Sequence, residues 1–156
     1  MKLLKFFLSA VLVNAAVISY GQATKPAFND EDLKKYAITM DSVKSMQEKL
    51  NTSITEMVQK NTVMKVDRYN ALFKVIDDQA KLDEAKATTE EIAFVKQVAE
   101  KRSAEAATIT ATFQKMAKEY VGLKAFNAIK KSLSTDQALK EKVDALAKEL
   151  DSKGGE

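Results

Sequence analysis

Two long stretches of this chain repeat apolar residues at alternating steps of three and four, and neither stretch contains proline or glycine. Such spacing places the apolar side chains on one face of an α-helix. The two stripes are Leu33, Tyr36, Met40, Val43, Leu50, Ile54, Met57 and Met64, then Ile92, Val95, Ala99, Ala106, Ile109, Phe113, Met116 and Tyr120. Because a one-sided helix must pack against another element, the chain is predicted to be all-α.

The ends of the helices also have sequence signals. Asn29, followed by three acidic residues, is predicted to cap the first long helix, and Thr88 is predicted to open a capping box on the second. Gly122 is placed to end the second long helix. Ser134 with Gln137 is predicted to form another capping box, before a final helix.

The two halves of the chain look like copies of one unit, about 28–86 and 87–150. The sequence Tyr-Asn-Ala-Leu at 69–72 matches Phe-Asn-Ala-Ile at 126–129, and Asp-Gln-Ala occurs at 78–80 and again at 136–138. Each unit would be a long helix followed by shorter ones. The prediction is an antiparallel helical bundle of two related units. An extended helical hairpin that completes its core by dimerising is the alternative.

The N-terminus has the three parts of a cleavable signal peptide, predicted to cover residues 1–23. Lys2 and Lys5 flank the start, an apolar run follows at 6–18, and small residues then allow cleavage after Gly21 or Ala23. An uncleaved anchor is the alternative, but the run is shorter than the roughly 20 residues that span a bilayer. The chain has no cysteine, which excludes a lipoprotein anchor. We therefore expect one helical domain at 24–153, exported to the periplasm or secreted, with a disordered tail at 154–156.

Charge argues against nucleic acid as a partner. The whole chain has 25 basic and 22 acidic residues. Lys2 and Lys5 leave with the signal peptide, so 23 basic against 22 acidic residues give a net charge of +1. A nearly neutral chain whose positive and negative residues are interspersed has no basic patch that would attract nucleic acid. No second apolar run is long enough for a stable membrane anchor.

The residue types also limit the chemistry. With no histidine and no cysteine, the chain has no Ser-His-Asp or Cys-His arrangement and no ordinary zinc or di-iron site. The acidic clusters at 30–32 and 90–91 precede helices, where the helix dipole accounts for them. We expect no enzymatic activity and no cofactor.

Exported methionine clusters can hold copper(I). Met40, Met57, Met64 and Met116 lie on the predicted core stripes, however, so packing is favoured. Only Met46 lies off the stripes and would be exposed.

Four polar positions are the candidate structural or ligand-binding residues. Asn70 and Asn127 each follow an aromatic residue on a short helix, where a buried amide would bond the backbone at a helix junction or contact a ligand. Gln47 and Arg102, like Asn61, interrupt the apolar stripes. These three would set the register of the packing or line a water-filled gap.

Two modification motifs are present. Asn51-Thr52-Ser53 matches an N-glycan sequon, and Asp41-Ser42-Val43 resembles a bacterial O-glycan acceptor. The last helices carry Lys130, Lys131, Lys140, Lys142 and Lys148. Acidic residues alternate with these lysines, which favours a solvated face over a membrane-binding one.

Residues 28–37, Phe-Asn-Asp-Glu-Asp-Leu-Lys-Lys-Tyr-Ala, resemble the opening helix of the bacterial exported family known as domain of unknown function 4168. The stretch 122–139 resembles its closing motif through Gly122-Leu123, Phe126-Asn127, Ile129, Asp136 and Leu139, with Gln137 where the family usually has proline. The resemblance implies export and a helical domain, and it supplies no activity.

These observations predict an exported, non-enzymatic module that binds a protein or peptide of the cell envelope. One alternative is a structural or stress-related module that associates with itself, for instance as a homodimer. The other is a small-ligand binder with a cavity between the two helical units.

Overall fold

The computed structural model describes residues 28–153. Their backbone forms helices and turns, with no strand in that range, and confirms the all-α prediction. The elements are α1 (Asp30–Lys60), α2 (Val66–Phe73), α3 (Gln79–Glu84), α4 (Thr89–Lys115), a π-helical segment (Met116–Gly122), α5 (Leu123–Leu133) and α6 (Gln137–Lys153). The predicted signal peptide and C-terminal tail lie outside the described residues.

Both long helices begin where the sequence predicts. The Asn29 side chain accepts a hydrogen bond from the Asp32 N–H at 2.7 Å. In α4, the Thr88 hydroxyl accepts from the Glu91 N–H at 3.2 Å, and the Glu91 carboxylate accepts from the Thr88 N–H at 3.0 Å. The side chains thus bond N–H groups that the helix leaves unpaired.

Asn61 ends α1. Its side-chain oxygen accepts from the N–H groups of Val63 and Met64, both at 2.9 Å, and its amide nitrogen donates to the Val58 carbonyl. Asn61 has an extended backbone, which stops the helix after Lys60. The polar residue in the stripe is therefore a helix stop.

The predicted capping box at Ser134 is wrong. The Ser134 hydroxyl donates to the Lys131 carbonyl at 2.7 Å, which bonds the end of α5. Asp136 instead caps α6, since its carboxylate accepts from the Leu139 N–H at 3.2 Å. Asp136 directly precedes the first helical residue, whereas Ser134 lies two residues too early. Asp78 caps α3 in the same way.

The apolar residues form two separate core clusters at the two ends of an antiparallel α1–α4 pair. The first core cluster joins the C-terminal half of α1 to α2, α3 and α4 as far as Ile109: Leu50, Ile54, Val58, Tyr69, Leu72, Leu82, Val95, Val98 and Ile109. The second joins the N-terminal half of α1 to the π-helical segment, α5 and α6: Leu33, Tyr36, Ala37, Ala117, Val121, Phe126, Ile129 and Val143. The molecule is an antiparallel helical bundle with α1 common to both ends.

The short helices α2 and α5 each pack onto the long helix of the other half. Tyr69 on α2 meets Phe94 on α4, with ring centroids 6.1 Å apart. Phe126 on α5 meets Tyr36 on α1 at 5.0 Å. Buried positions also recur 59 residues apart, in the pairs 36/95, 39/98 and 50/109 of the long helices and in the pair 58/117, whose second member lies in the π-helical segment. Either long helix therefore needs the other half of the chain to cover its apolar face.

The predicted core stripe is displaced by one residue in the π-helical segment. Ala117 and Val121 are buried there, whereas the heptad pattern predicts Met116 and Tyr120, and Tyr120 is 41% exposed. A π-helical turn contains about one more residue than an α-helical turn, so the residues after Phe113 rotate by one position. The segment ends at Gly122, whose φ of +89° suits glycine.

Candidate functional site

Arg68 forms the ion pair that ties α2 to α4. Its Nε and Nη2 atoms donate to the two carboxylate oxygens of Glu91, each at 2.8 Å. Nη2 also donates to the carbonyls of Ala85 at 3.0 Å and Lys86 at 3.3 Å. Lys86 has a φ of +50°, so Arg68 bonds the strained turn between α3 and α4. Sequence reasoning missed Arg68, because its partners are 17 to 23 residues away.

This ion pair makes the stability of the fold depend on pH. The hydrogen bonds from Arg68, with a further one from the Thr88 N–H, lower the pKa of Glu91 from 4.5 to about 2. A carboxyl whose pKa is lower in the folded chain stabilises the fold above its unfolded pKa. That contribution is lost as the pH falls from about 4.5 to about 2.

We predict that Glu91→Gln lowers the free energy of unfolding at neutral pH and weakens its fall between about pH 4.5 and about pH 2. Gln keeps the size of the side chain and removes the charge that Arg68 binds. The measurement is urea denaturation followed by circular dichroism across that range. The matched control is Glu90→Gln, at an exposed neighbour. Equal pH dependence in wild type and Glu91→Gln would contradict the prediction.

Arg102 is the one predicted polar candidate that reaches a core cluster. Its Cζ atom lies 5.7 Å from the ring centroid of Phe73 on α2. Its Nε and the Tyr69 hydroxyl are both buried without a hydrogen-bond partner among the described residues. Glu105, one turn further along α4, binds Lys101 at 2.6 Å instead. Arg102 therefore contributes to the α2–α4 contact through a cation–π interaction.

Burial raises the pKa of the Tyr69 hydroxyl, and the positive charge of Arg102 partly opposes that rise. The hydroxyl therefore stays protonated at neutral pH.

The other three polar candidates are exposed. The side chains of Asn70, Asn127 and Gln47 make no hydrogen bond with the described residues, so the predicted buried amides at helix junctions are wrong. Phe126 and Ile129 occupy the core-facing positions of α5, and Asn127 follows Phe126 by one residue, about 100° around the helix. In both copies of the repeat the aromatic and aliphatic residues are buried in the core, whereas the Asn between them is exposed.

We predict that Asn127→Ala changes the free energy of unfolding by less than about 0.5 kcal/mol, because an exposed side chain without partners is removed. Ile129→Ala, two residues further, should cost about 2–5 kcal/mol, because Ile129 is fully buried. Thermal and urea unfolding of both variants check the contrast. Comparable losses would show that Asn127 has a structural role after all.

Two shallow depressions lie at the end of the molecule that contains the second core cluster. The Leu123 depression, about 480 Å³, is lined by Phe28, Asp32, Gly122, Leu123, Lys124, Ala125 and Ala128. The Met40 depression, about 310 Å³, is lined by Tyr36, Ala37, Met40, Leu133, Lys140, Val143, Asp144 and Ala147. Asp32, Tyr36 and Met40 are four residues apart on α1, so both depressions follow one side of that helix.

Large apolar side chains are exposed in both depressions. Leu123 is 56% exposed and Met40 is 42% exposed. The predicted burial of Met40 is therefore wrong, and so is the predicted exposure of Met46, which packs against the first core cluster. An α-helix has 3.6 residues per turn, so side chains spaced at strict seven-residue intervals rotate gradually away from the core.

Neither depression is lined by Asn70, Asn127, Gln47 or Arg102. Within residues 28–153, no three His, Cys, Asp or Glu side chains group closely enough to hold a metal ion. Of the modification motifs, Asn51 is exposed on α1 and Ser42 is half-buried on it.

No family model, curated protein or solved structure matches this chain. The resemblance to domain of unknown function 4168 stays a prediction. In the part of the chain that the structure describes, no helix is both long enough and apolar enough to cross a membrane.

Proposed function

We propose that this chain is an exported, non-enzymatic protein that binds another protein, or a peptide, of the cell envelope. The observation that carries the proposal is the pair of apolar depressions along α1. Leu123 and Met40 expose apolar surface there, and exposed apolar surface that is concave and edged by polar groups is typical of recognition sites. Lys124 and Asp32 border the Leu123 depression, and Lys140 and Asp144 border the Met40 depression.

Export is supported by the basic start, apolar run and small residues of the first 23 positions, and by the resemblance to an exported family. The internal repeat, proposed from the sequence matches, is supported by the 59-residue spacing of buried positions. A binding module needs only a stable scaffold that presents a surface. Two interlocking halves, each covering the other's apolar face, supply such a scaffold.

Self-association is the second candidate function. The same exposed side chains, Leu123 and Met40, would be covered equally well in a homodimer. Small-ligand binding has less support, because the two depressions are shallow and the residues predicted to line an inter-unit cavity lie elsewhere.

We predict that a photo-crosslinking amino acid at position 40 or 123 captures the partner in intact cells. The matched control is position 66, because Val66 is 42% exposed, as Met40 is, but lies at the other end of the molecule. Mass spectrometry of the adducts separates an envelope protein from a second copy of this chain. Equal capture from all three positions, or none from 40 and 123, would contradict the proposed surface.

Export is tested separately by the N-terminus of the protein made in a Gram-negative host. We predict that the purified chain begins at Gln22 or Thr24 and is recovered in the periplasmic fraction or the medium. Intact mass spectrometry gives the cleavage site. Recovery of a chain that starts at Met1 in the cytoplasmic fraction would contradict export.

A further inference from the structure

Helix α5 differs in charge from the other helices of the described region. It is the one α-helix among the six in residues 28–153 whose sequence contains no carboxylate. Its exposed residues include Lys124, Lys130 and Lys131, with Asn127 between them and Leu123 at the start. In α6, by contrast, acidic residues alternate with the lysines. The exposed face of α5 therefore carries positive charges that no carboxylate of the same helix neutralises.

The three lysines of α5 have no ion-pair partner among the described residues. Elsewhere lysines do find one, for example Lys142 on Asp30 at 2.5 Å and Lys60 on Glu56 at 2.8 Å. The carboxylates closest to α5 in sequence are Glu119 before it and Asp136 after it, and Asp136 has other interactions.

Asp32 on α1 is the acidic residue that shares a depression with α5. It lines the Leu123 depression together with Lys124, and no ion pair joins the two. Because Asp32 is one carboxylate beside three lysines, the surface next to the apolar Leu123 depression is positively charged.

The burial of α5 argues against a lipid surface. A helix that binds a membrane turns its apolar face to the bilayer. In α5 that face is already occupied, since Phe126 is 4% exposed and Ile129 is fully buried in the second core cluster. Only Leu123 projects outward from the lysine-rich side. A protein partner that offers both carboxylates and small apolar side chains fits this surface better.

Resting on the proposed function, we infer that the exposed face of α5 binds an acidic amphipathic helix of the partner protein. Carboxylates of that helix would pair with Lys124 and Lys131, which lie on one side of α5, and its apolar side chains would enter the Leu123 depression. Lys130 would add positive charge from the neighbouring side of α5. Lys124 and Lys131 are seven residues apart, about 10 Å along the helix axis. Carboxylates two turns apart on the partner helix match that distance.

The test measures binding of the full chain to a designed peptide of about 20 residues, with leucine on one face and glutamate on the other. A second peptide has glutamine in place of every glutamate. Fluorescence anisotropy gives both dissociation constants at about 50 mM and about 300 mM salt, since exposed ion pairs are screened. The glutamate peptide should bind about tenfold more tightly at low salt, and the advantage should shrink at high salt.

The variant that tests the lysines is K124Q/K130Q/K131Q. It should abolish the advantage of the glutamate peptide and leave the circular dichroism spectrum unchanged, because all three side chains are exposed. The matched control is K49Q/K74Q/K96Q, which removes three other exposed lysines without an ion pair among the described residues. The control should keep the tenfold advantage.

Three outcomes overturn the inference. If both peptides bind equally, apolar contact alone is at work, and the proposed function stands without the acidic partner. If the control variant loses the advantage as well, net charge and not α5 is responsible. If phosphatidylglycerol vesicles bind the wild type but not K124Q/K130Q/K131Q, and neither peptide binds, the surface is a membrane site. Failure of the proposed function is separate, since it shows as absent crosslinking at positions 40 and 123.

Discussion

The packing of the short helices α2 and α5 onto the long helix of the other half is the contact on which the rest of this structure depends. A single long helix with one apolar face has no stable arrangement alone in water. Here α2 covers α4 through Tyr69 and Leu72, while α5 covers α1 through Phe126 and Ile129. All four side chains are at most 5% exposed. Each half therefore depends on the other to bury its apolar face, although the two core clusters are separate.

The two ends of the bundle differ in their contacts and in their exposed side chains. At the end with the first core cluster, Arg68 and Glu91 close the turn before α4 with a bidentate ion pair. At the end with the second core cluster, exposed Leu123 and Met40 leave apolar surface uncovered. Val63 and Val66 are exposed at the first end as well, but the exposed apolar side chains of the second end, Leu123 and Met40, line the two depressions. This difference supports a binding role for the second end.

Much of the fold could be predicted from the sequence, because helix signals are local. Asn29 and Thr88 act within a few residues and cap their helices at the predicted places. Gly122 ends the π-helical segment that continues α4, whereas α4 itself ends at Lys115. Side-chain environments were harder to predict, because they depend on neighbours distant in sequence. Asn70 and Asn127 repeat without being buried, and Arg68 finds its partners across α3. The candidate surface could not be predicted either, since it depends on how α1, α5 and α6 meet.

The π-helical segment has a consequence for how the helix surface could change. Because it holds about one residue more than a plain α-helix would, shortening the chain by one position between Phe113 and Ala117 would restore ordinary helical geometry. Ala117 and Val121 would then lie on the core-facing side of a regular α-helix, and α5 would keep its position. A single deletion here would therefore change the helix surface between Phe113 and Ala117, while the core positions that follow keep their places.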